Sequence, residues 1–198
     1  MARPRTFDEE RALTGAMRLF WEKGYEAAST QDLCEATGLG RSSIYNTFTS
    51  KHALFVRALA HYLDTMTANQ TAILEDASQP PLARLRNLFS SVIDTEEANR
   101  HERLGIGCLG VNSSVELSRR DAEAAGLLQR DLERRLGGLQ DVITSGQQAG
   151  EISRVRTARE FALFINATIA GMRVSAQSGL DRSALEAIAD TVLSALTP

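Results

Sequence analysis

Hydrophobic residues recur every three or four positions along most of the chain, which is the pattern of amphipathic helices. Five apolar residues in the first segment lie on one helical stripe: Leu13, Ala16, Met17, Phe20 and Trp21. Gly24 follows this stripe and predicts the end of the first helix.

Two short helices and a longer one are predicted next. Ser29 or Thr30 can cap a second helix that runs through Ala36, and Gly38 then breaks it. A third short helix is expected from about Arg41 to Thr47. Ser50 can cap a fourth helix with its own apolar stripe: Leu54, Phe55, Ala58, Leu59, Tyr62 and Met66.

The rest of the chain continues with helical patterns and no strand-like alternation of useful length. The segment Gln79-Pro80-Pro81 predicts a new helix, and residues 100–110, with three glycines, predict a loop or a broken helix. Later apolar stripes span residues 128–143, 161–172 and 185–196. The pattern therefore predicts an all-α protein.

Length and composition narrow the class of protein. The 198 residues suit one or two domains, and 22 basic against 25 acidic residues exclude a polycationic DNA-packaging protein. Two cysteines cannot build a disulfide framework. Because neither a signal-peptide pattern nor a run of about 18 uncharged apolar residues occurs, we expect a cytoplasmic protein with no membrane partner.

Residues 29–51 carry the strongest local signal, a helix, a glycine-centred turn and a second helix. Apolar side chains on both helices can form a small shared core: Leu33, Ala36, Leu39, Ile44 and Phe48. In a helix-turn-helix the second helix lies in the major groove of double-stranded DNA. A pair of short helices joined by glycine is also a common corner of helical proteins, which is the alternative interpretation.

The outward face of the second helix consists of side chains that can bond to DNA. We assign base-edge contacts to Arg41, Ser42, Ser43 and Asn46. Phosphate contacts are assigned to Thr30, Tyr45 and Lys51, the last at the start of the next helix.

Net charge gives this DNA-binding interpretation no support. Residues 1–51 contain seven basic and seven acidic side chains. Binding would therefore require the basic residues to cluster on one face, with modest non-specific affinity. Arg3 and Arg5 belong either to a disordered N-terminal tail or to an arm that reaches the minor groove of DNA.

Residues 9–55 resemble the DNA-binding domain of the TetR family of bacterial transcriptional regulators. The matching positions are Ala16, Leu19-Phe20, Gly24-Tyr25, Ser29-Thr30, Leu33, Thr37-Gly38-Leu39, Ile44-Tyr45, Phe48, Lys51 and Leu54. Two positions depart from the family pattern: Gly40 stands where the family often has a serine cap, and Thr47 where it often has an aromatic residue or histidine.

The resemblance implies an architecture and a function. It implies a three-helix helix-turn-helix DNA-binding domain over residues 1–52 and a helical ligand-binding and dimerisation domain over 53–198. The implied function is that of a homodimeric repressor, which binds a palindromic operator and is released by a small-molecule effector. No cofactor, metal or enzymatic activity is implied, and the sequence contains no catalytic constellation.

The C-terminal stripes predict the dimer interface. We expect a four-helix bundle between two protomers, built on Phe161, Ile165, Ile169, Leu185, Ile188 and Val192. In the alternative, these residues only close the core of one protomer. Five residues are candidates for effector contact: Phe89, Cys108, Asn112, Glu116 and Phe164.

Cys108 also leaves three interpretations open. It is a buried unreactive thiol, a thiol sensor of oxidants or electrophiles, or a metal ligand. The metal interpretation is weak, because His101 lies seven residues away and no third ligand is clear. Asn112 and Glu116 can instead satisfy local backbone or arginine partners. A DNA-binding regulator without a small ligand is a further alternative.

Overall fold

The computed structural model describes residues 5–101 and 107–198, with side chains from Glu9 onward. Within these residues the chain forms helices and no strand, so the all-α prediction is confirmed. The described helices are α1 (Arg5–Lys23), α2 (Thr30–Thr37), α3 (Arg41–Phe48), α4 (Lys51–Glu75), α5 (Pro81–His101), α6 (Leu109–Leu117), α7 (Ala122–Ala149), α8 (Ala158–Gln177) and α9 (Arg182–Leu196). Arg3 and part of the glycine-rich segment 100–110 lie outside the described residues, as does the side chain of Arg5.

The helices belong to two compact units. Unit 1 takes its described residues from 1–64 and 104–128, and unit 2 takes them from 65–103 and 129–198. Helix α4 contributes residues to both units, as does α7. The domain boundary between residues 52 and 53 remains a prediction.

Unit 1 is organised around aromatic side chains and a close helix contact. Phe20 packs edge-on against Phe55, with ring centroids 5.1 Å apart. Gly15 of α1 lies so close to α2 that an added Cβ would be 2.2 Å from the carbonyl oxygen of Ala36. This contact uses the Ala36 backbone. The Ala36 side chain is exposed, so its expected place in the small core was wrong.

Unit 2 has the larger apolar core. Side chains of α5, α7, α8 and α9 fill it, among them Leu85, Phe89, Ile143, Ile165 and Leu185. Complete burial of one such side chain contributes about 1.5–3 kcal/mol. The predicted stripes therefore identify the buried faces of these helices.

Helix ends in unit 2 are defined by capping side chains. Thr157 and Glu160 form a reciprocal capping box at the start of α8, and the Asp181 side chain caps α9. No helix in the described part carries an apolar stretch that is long enough to cross a lipid bilayer.

Candidate nucleic-acid interface and ligand cleft

The turn between α2 and α3 fixes the position of α3. Ser29 caps α2 through a reciprocal box with Asp32, and Gly38 ends α2 with a φ of 68°. Side chains other than glycine rarely adopt that φ. Gly40 then begins α3 in an extended conformation, without a side-chain cap.

Helix α3 has one buried face and one exposed face. Ile44 and Phe48 are buried in unit 1, as the sequence predicts. The predicted DNA-reading residues are all exposed: Arg41, Ser42, Ser43, Tyr45 and Asn46. A continuous polar surface two helical turns long therefore faces outward.

Tyr45 joins two of the other predicted contacts. Its hydroxyl lies 3.5 Å from the hydroxyl of Thr30 on α2, and the guanidinium of Arg41 lies 5.8 Å from its ring centroid. Three predicted DNA contacts from two helices are thus brought together.

Lys51 is held at the start of α4. Its ammonium donates to the carbonyl of Glu26 at 3.3 Å and lies 4.7 Å from the Tyr25 ring centroid. Within the described residues neither Lys51 nor Arg41 has a carboxylate partner, whereas Lys23 is paired with Asp32. In the described part of the chain, no ion pair therefore compensates either positive charge.

The turn before α2 is tied to α6 by a carboxylate. Glu116 accepts hydrogen bonds from the backbone N–H groups of Tyr25, at 3.0 Å, and Glu26, at 2.9 Å. An added Cβ on Gly24, whose φ is 80°, would lie 3.0 Å from the same carboxylate. Glu116 was predicted as an effector contact, and in this structure its carboxylate binds backbone N–H groups that are distant in sequence.

His52 links α4 to the residue that precedes α7. Its Nε2 lies 2.6 Å from Asp121 Oδ2. Hydrogen bonds from the Ala124 N–H and from His52 hold the pKa of Asp121 below its ordinary value, despite the opposing effect of burial. Asp121 therefore caps α7 as an ionised carboxylate.

Cys108 is half-buried at the N-cap of α6. The Tyr62 hydroxyl donates a hydrogen bond to Cys108 Sγ at 3.3 Å. Asn112, one helical turn further on, is also half-buried. Cys34 is half-buried too, so exposure alone does not separate the two thiols.

The predicted interface residues of α8 and α9 lie mainly inside unit 2. Phe161, Ile165, Ile169, Leu185 and Val192 are buried in the core, and Ile188 packs partly against it. Their burial agrees with the alternative in which they close one protomer. Phe89, a predicted effector contact, lies in the same core, whereas Phe164 is exposed on α8.

The opposite face of α8 is apolar and exposed. Leu163, Phe164 and Val174 leave between 45 and 47% of their surface accessible, and Ala167 and Gly171 lie between them on the same face. On α9 the small residues Ala187 and Ala195 are exposed. Periodicity alone did not reveal this face, because the buried stripe is the stronger signal.

Unit 2 contains a narrow cleft whose enclosed space is about that of one water molecule. Helices α4, α5, α7 and α8 line it with Gln70, Thr71, Leu74, Leu88, Arg134, Arg135, Gly138, Leu139, Asn166 and Ile169. None of the five predicted effector contacts is among them. The sequence contains one indication of this cleft. Asp131 and Arg135 are charged residues on the apolar face of α7, beside Leu139 and Val142.

Comparison with known proteins decides the family. Residues 12–58 match the profile of bacterial regulatory proteins of the tetR family, and residues 81–192 match the tetracyclin repressor-like C-terminal domain. The chain belongs to the TetR family. It is therefore a transcriptional regulator with a DNA-binding helix-turn-helix, and the resemblance seen in residues 9–55 is confirmed.

Individual relatives extend over nearly the whole TetR-family chain. The transcriptional repressor ComR of Escherichia coli is 35% identical, with 96% of this chain and 90% of ComR covered. The repressor DhaR of a Mycobacterium species is 32% identical, with 91% and 88% covered. A structure of the regulator CifR, a cysteine mutant complexed with operator DNA, is 27% identical with a TM-score of 0.83 and covers 98% of this chain and 100% of that one.

The two departures from the TetR pattern leave the helix-turn-helix intact. Gly40 occupies the N-cap of α3 with extended backbone angles, and glycine caps a helix nearly as well as serine. Thr47 is half-buried within α3. The local fold therefore tolerates both residues.

Proposed function

We propose that this TetR-family protein is a homodimeric, ligand-responsive transcriptional repressor of a palindromic operator. The observation that carries the proposal is the exposed polar face of α3, which begins at Arg41, together with Lys51 at the start of α4; among the described residues neither has a carboxylate partner. The relatives ComR and DhaR are repressors by name, and CifR is solved on operator DNA. The protein would act in the cytoplasm and carry no enzymatic activity.

Recognition is divided between base edges and phosphates. Helix α3 has eight residues and is therefore about 12 Å long, which suits insertion into the major groove. Arg41 and Asn46 can each bond to a base edge with two atoms, and Ser42 and Ser43 add single bonds. Thr30, Tyr45 and Lys51 bind phosphates, which sets the register of α3.

Two copies are required to read a palindrome. The exposed apolar face of α8, with Leu163, Phe164 and Val174, is the proposed contact with a second copy. Two recognition helices would then reach half-sites separated by about 34 Å, one turn of DNA. Residues 53–198 would supply both the dimer contact and the effector site.

Effector binding lowers DNA affinity if it favours a conformation with the wrong half-site spacing. Such a population shift needs only different affinities of the effector for the two conformations. Helix α4 begins at the proposed phosphate contact Lys51 and ends in unit 2, so a change in unit 2 can be transmitted along one helix.

Selection of bound DNA from a random pool tests the proposal. We expect the full-length protein to enrich a palindrome whose half-sites lie about one helical turn apart. The variant Asn46→Ala should enrich a degenerate site, whereas Glu26→Ala, outside α3, should enrich the original one. Failure of the wild-type protein to enrich any sequence would contradict the proposal.

Cys108 supports a second candidate function, a regulator that senses oxidants or electrophiles. The supporting observation is the hydrogen bond from Tyr62 to a half-buried sulfur at the N-cap of α6. Alkylation with iodoacetamide should then release DNA from the wild-type protein and not from Cys108→Ser. Equal release from both proteins, or from neither, would reject this candidate.

A further inference from the structure

Glu116 holds the turn between α1 and α2 from a distant part of the chain. Its two carboxylate oxygens accept from consecutive backbone N–H groups, Oε2 from Tyr25 at 3.0 Å and Oε1 from Glu26 at 2.9 Å. Consecutive N–H groups on one side of a turn form a concave anion site. Gly24, with a φ of 80°, leads into this site. The Glu116 carboxylate therefore occupies an anion site that is built into the turn.

Helix α6 is fixed in unit 1 by contacts that do not involve Glu116. Leu109 and Leu117, at its two ends, are buried. The Trp21 indole N–H of α1 donates to the carbonyl of Gly107, just before α6, at 2.7 Å. Because α6 keeps its place through these contacts, the carboxylate sets the position of the turn.

The same turn holds the side chain of Lys51 at the start of α4. Its ammonium donates to the Glu26 carbonyl at 3.3 Å and lies 4.7 Å from the Tyr25 ring centroid. These are the two residues whose N–H groups Glu116 binds. An ammonium has three N–H donors, and the bond to Glu26 uses one of them. A lysine side chain that is already oriented loses less conformational entropy when it binds a phosphate.

We propose that Glu116 is a positioning residue for DNA binding, because it fixes the turn that holds the Lys51 ammonium at the DNA backbone. The proposal rests on the phosphate contact that the proposed function assigns to Lys51. Glu116 acts through the turn, and only Lys51 contacts the phosphate.

The charge of Glu116 by itself predicts the opposite effect on DNA binding. A carboxylate near a DNA-binding surface repels phosphates, so loss of its charge alone would strengthen binding. Loss of a positioning contact would weaken binding, because the Lys51 ammonium would no longer be held in place. The direction of the change in DNA affinity therefore separates the two effects.

Fluorescence anisotropy of the full-length protein with a labelled operator duplex tests this proposal at several salt concentrations. The operator is the sequence enriched in the selection described above. Lys51→Ala should weaken binding about tenfold and reduce the slope of log affinity against log salt by about 0.9, the value for one phosphate contact. Glu116→Gln should weaken binding roughly threefold and reduce the slope in the same direction, since the contact is loosened and not removed.

Two control variants and a double variant define the cause of the loss. Glu26→Gln removes a carboxylate beside the same turn and keeps both backbone bonds, so it should bind the operator at least as tightly as the wild type. Thr157→Ala removes the cap of α8 in unit 2 and should leave the salt slope unchanged. In Lys51→Ala, the addition of Glu116→Gln should weaken binding no further, because the side chain that Glu116 positions is already absent.

A further variant keeps the test valid if Glu116→Gln does not fold. Glu116→Asp retains the charge and is shorter by one methylene group, so its carboxylate cannot reach both N–H groups from α6. It should weaken operator binding, and no change in net charge can explain that loss. Equal operator affinity of Glu116→Gln and Glu26→Gln, or an equal further loss in Lys51→Ala, would overturn the proposal.

A duplex of random sequence separates this proposal from the proposed function. Phosphate contacts do not depend on sequence, so Lys51→Ala and Glu116→Gln should weaken binding to this duplex in the same order. If the protein enriches no operator and this order holds, the positioning role stands and the proposed repressor function fails. If the operator binds and the effects of the two variants add, the proposed function stands and the positioning role fails.

Discussion

At the scale of single residues, one carboxylate orders the turn that leads into the helix-turn-helix. Glu116 bonds to the backbone N–H groups of Tyr25 and Glu26, and the Glu26 carbonyl accepts in turn from Lys51. This short chain of contacts joins α6 to the first residue of α4. The position of a proposed phosphate contact therefore depends on a residue outside the set of proposed DNA contacts.

Replacement of Glu116 tests this dependence. Glu116→Gln retains one acceptor oxygen and loses the negative charge, so one of the two charge-assisted bonds is lost. We expect the free energy of unfolding to fall by about 1–3 kcal/mol. Urea denaturation measures this change. Glu26→Gln is the matched control, since it removes a neighbouring exposed charge and leaves both backbone bonds. Equal stability of the two variants would contradict this role of Glu116.

Arg41 and Lys51 should differ in their effect on DNA recognition. Arg41→Ala should relax base preference at one position of the half-site by about 1–3 kcal/mol, because a bidentate base contact is lost. Lys51→Ala should weaken binding to all sequences alike, because phosphates carry no sequence information. Competition binding on single-base operator variants measures both effects. A uniform loss of affinity in both variants would contradict the division of roles.

The sequence could predict residues on a helix face and could not predict contacts between distant segments. The exposed face of α3 follows from the period of one short segment, and it was found. The contact of Glu116 with Glu26 spans 90 positions, and no local pattern encodes it. The cleft at Asp131 and Arg135 depends on four helices, so their pairing became visible only in the fold.

At the scale of helices, capping boxes define two helix starts with different consequences. Ser29 and Asp32 begin α2 in unit 1, while Thr157 and Glu160 begin α8 in unit 2. The two boxes have the same hydrogen-bond pattern. Removal of one box or the other therefore shows whether a loss of stability by itself also weakens DNA binding.

Removing each cap should cost similar stability and affect DNA differently. Ser29→Ala and Thr157→Ala should each lower the free energy of unfolding by about 1 kcal/mol. Only Ser29→Ala should also weaken operator binding, because α2 carries Thr30 and supports α3. Denaturation and fluorescence anisotropy on the same samples measure both quantities. A similar loss of operator affinity in Thr157→Ala would show that the effect is not local to α2.

Helical periodicity identifies which face is buried and does not identify what covers it. The stripe with Phe161 and Ile165 is buried, as its period predicts. A neighbouring helix of the same chain covers it, and a second protomer would have produced the same pattern. The proposed dimer interface therefore consists of exposed apolar residues, which only the structure separates from the core.

At the scale of the whole molecule, hydrogen-bonded carboxylates link stability to pH. The Ala124 N–H at Asp121, the Thr157 N–H at Glu160 and the Ala184 N–H at Asp181 hold these pKa values below their ordinary range. Glu96 behaves in the opposite way. Burial raises its pKa, and the nearby positive charge of Arg173 opposes this shift only in part. More of these carboxyl groups have a lowered pKa than a raised one.

We therefore expect stability to fall with acidification below about pH 4. A carboxyl group with a lowered folded pKa stabilises the fold above its unfolded pKa, and this contribution is lost as the pH falls through the folded value. Glu96 changes in the opposite direction, since its protonation removes the cost of a buried charge. Urea denaturation at several pH values from about 5 to 3 measures the sum. Increasing stability over that range would mean that Glu96 dominates.

The proposed assembly of two copies would depend on the exposed face of α8. Because Leu163, Phe164 and Val174 are apolar and half-exposed, a second copy that covers them would bury area that otherwise faces water. The double variant Phe164→Glu, Val174→Glu would place two like charges in each half of that interface. Since buried unpaired charges cost several kcal/mol, we expect this variant to be monomeric and to lose most of its operator affinity.

Val155→Glu provides the matched control for this prediction. Val155 is 74% exposed and lies outside both α8 and α9. The substitution therefore places a glutamate on an apolar surface position away from the proposed interface. Light scattering after size-exclusion chromatography should give a dimer for the wild type and for Val155→Glu. Circular dichroism should show equal helix content in all three proteins, which separates loss of assembly from loss of fold. A folded double variant that remains dimeric would place the interface on another surface.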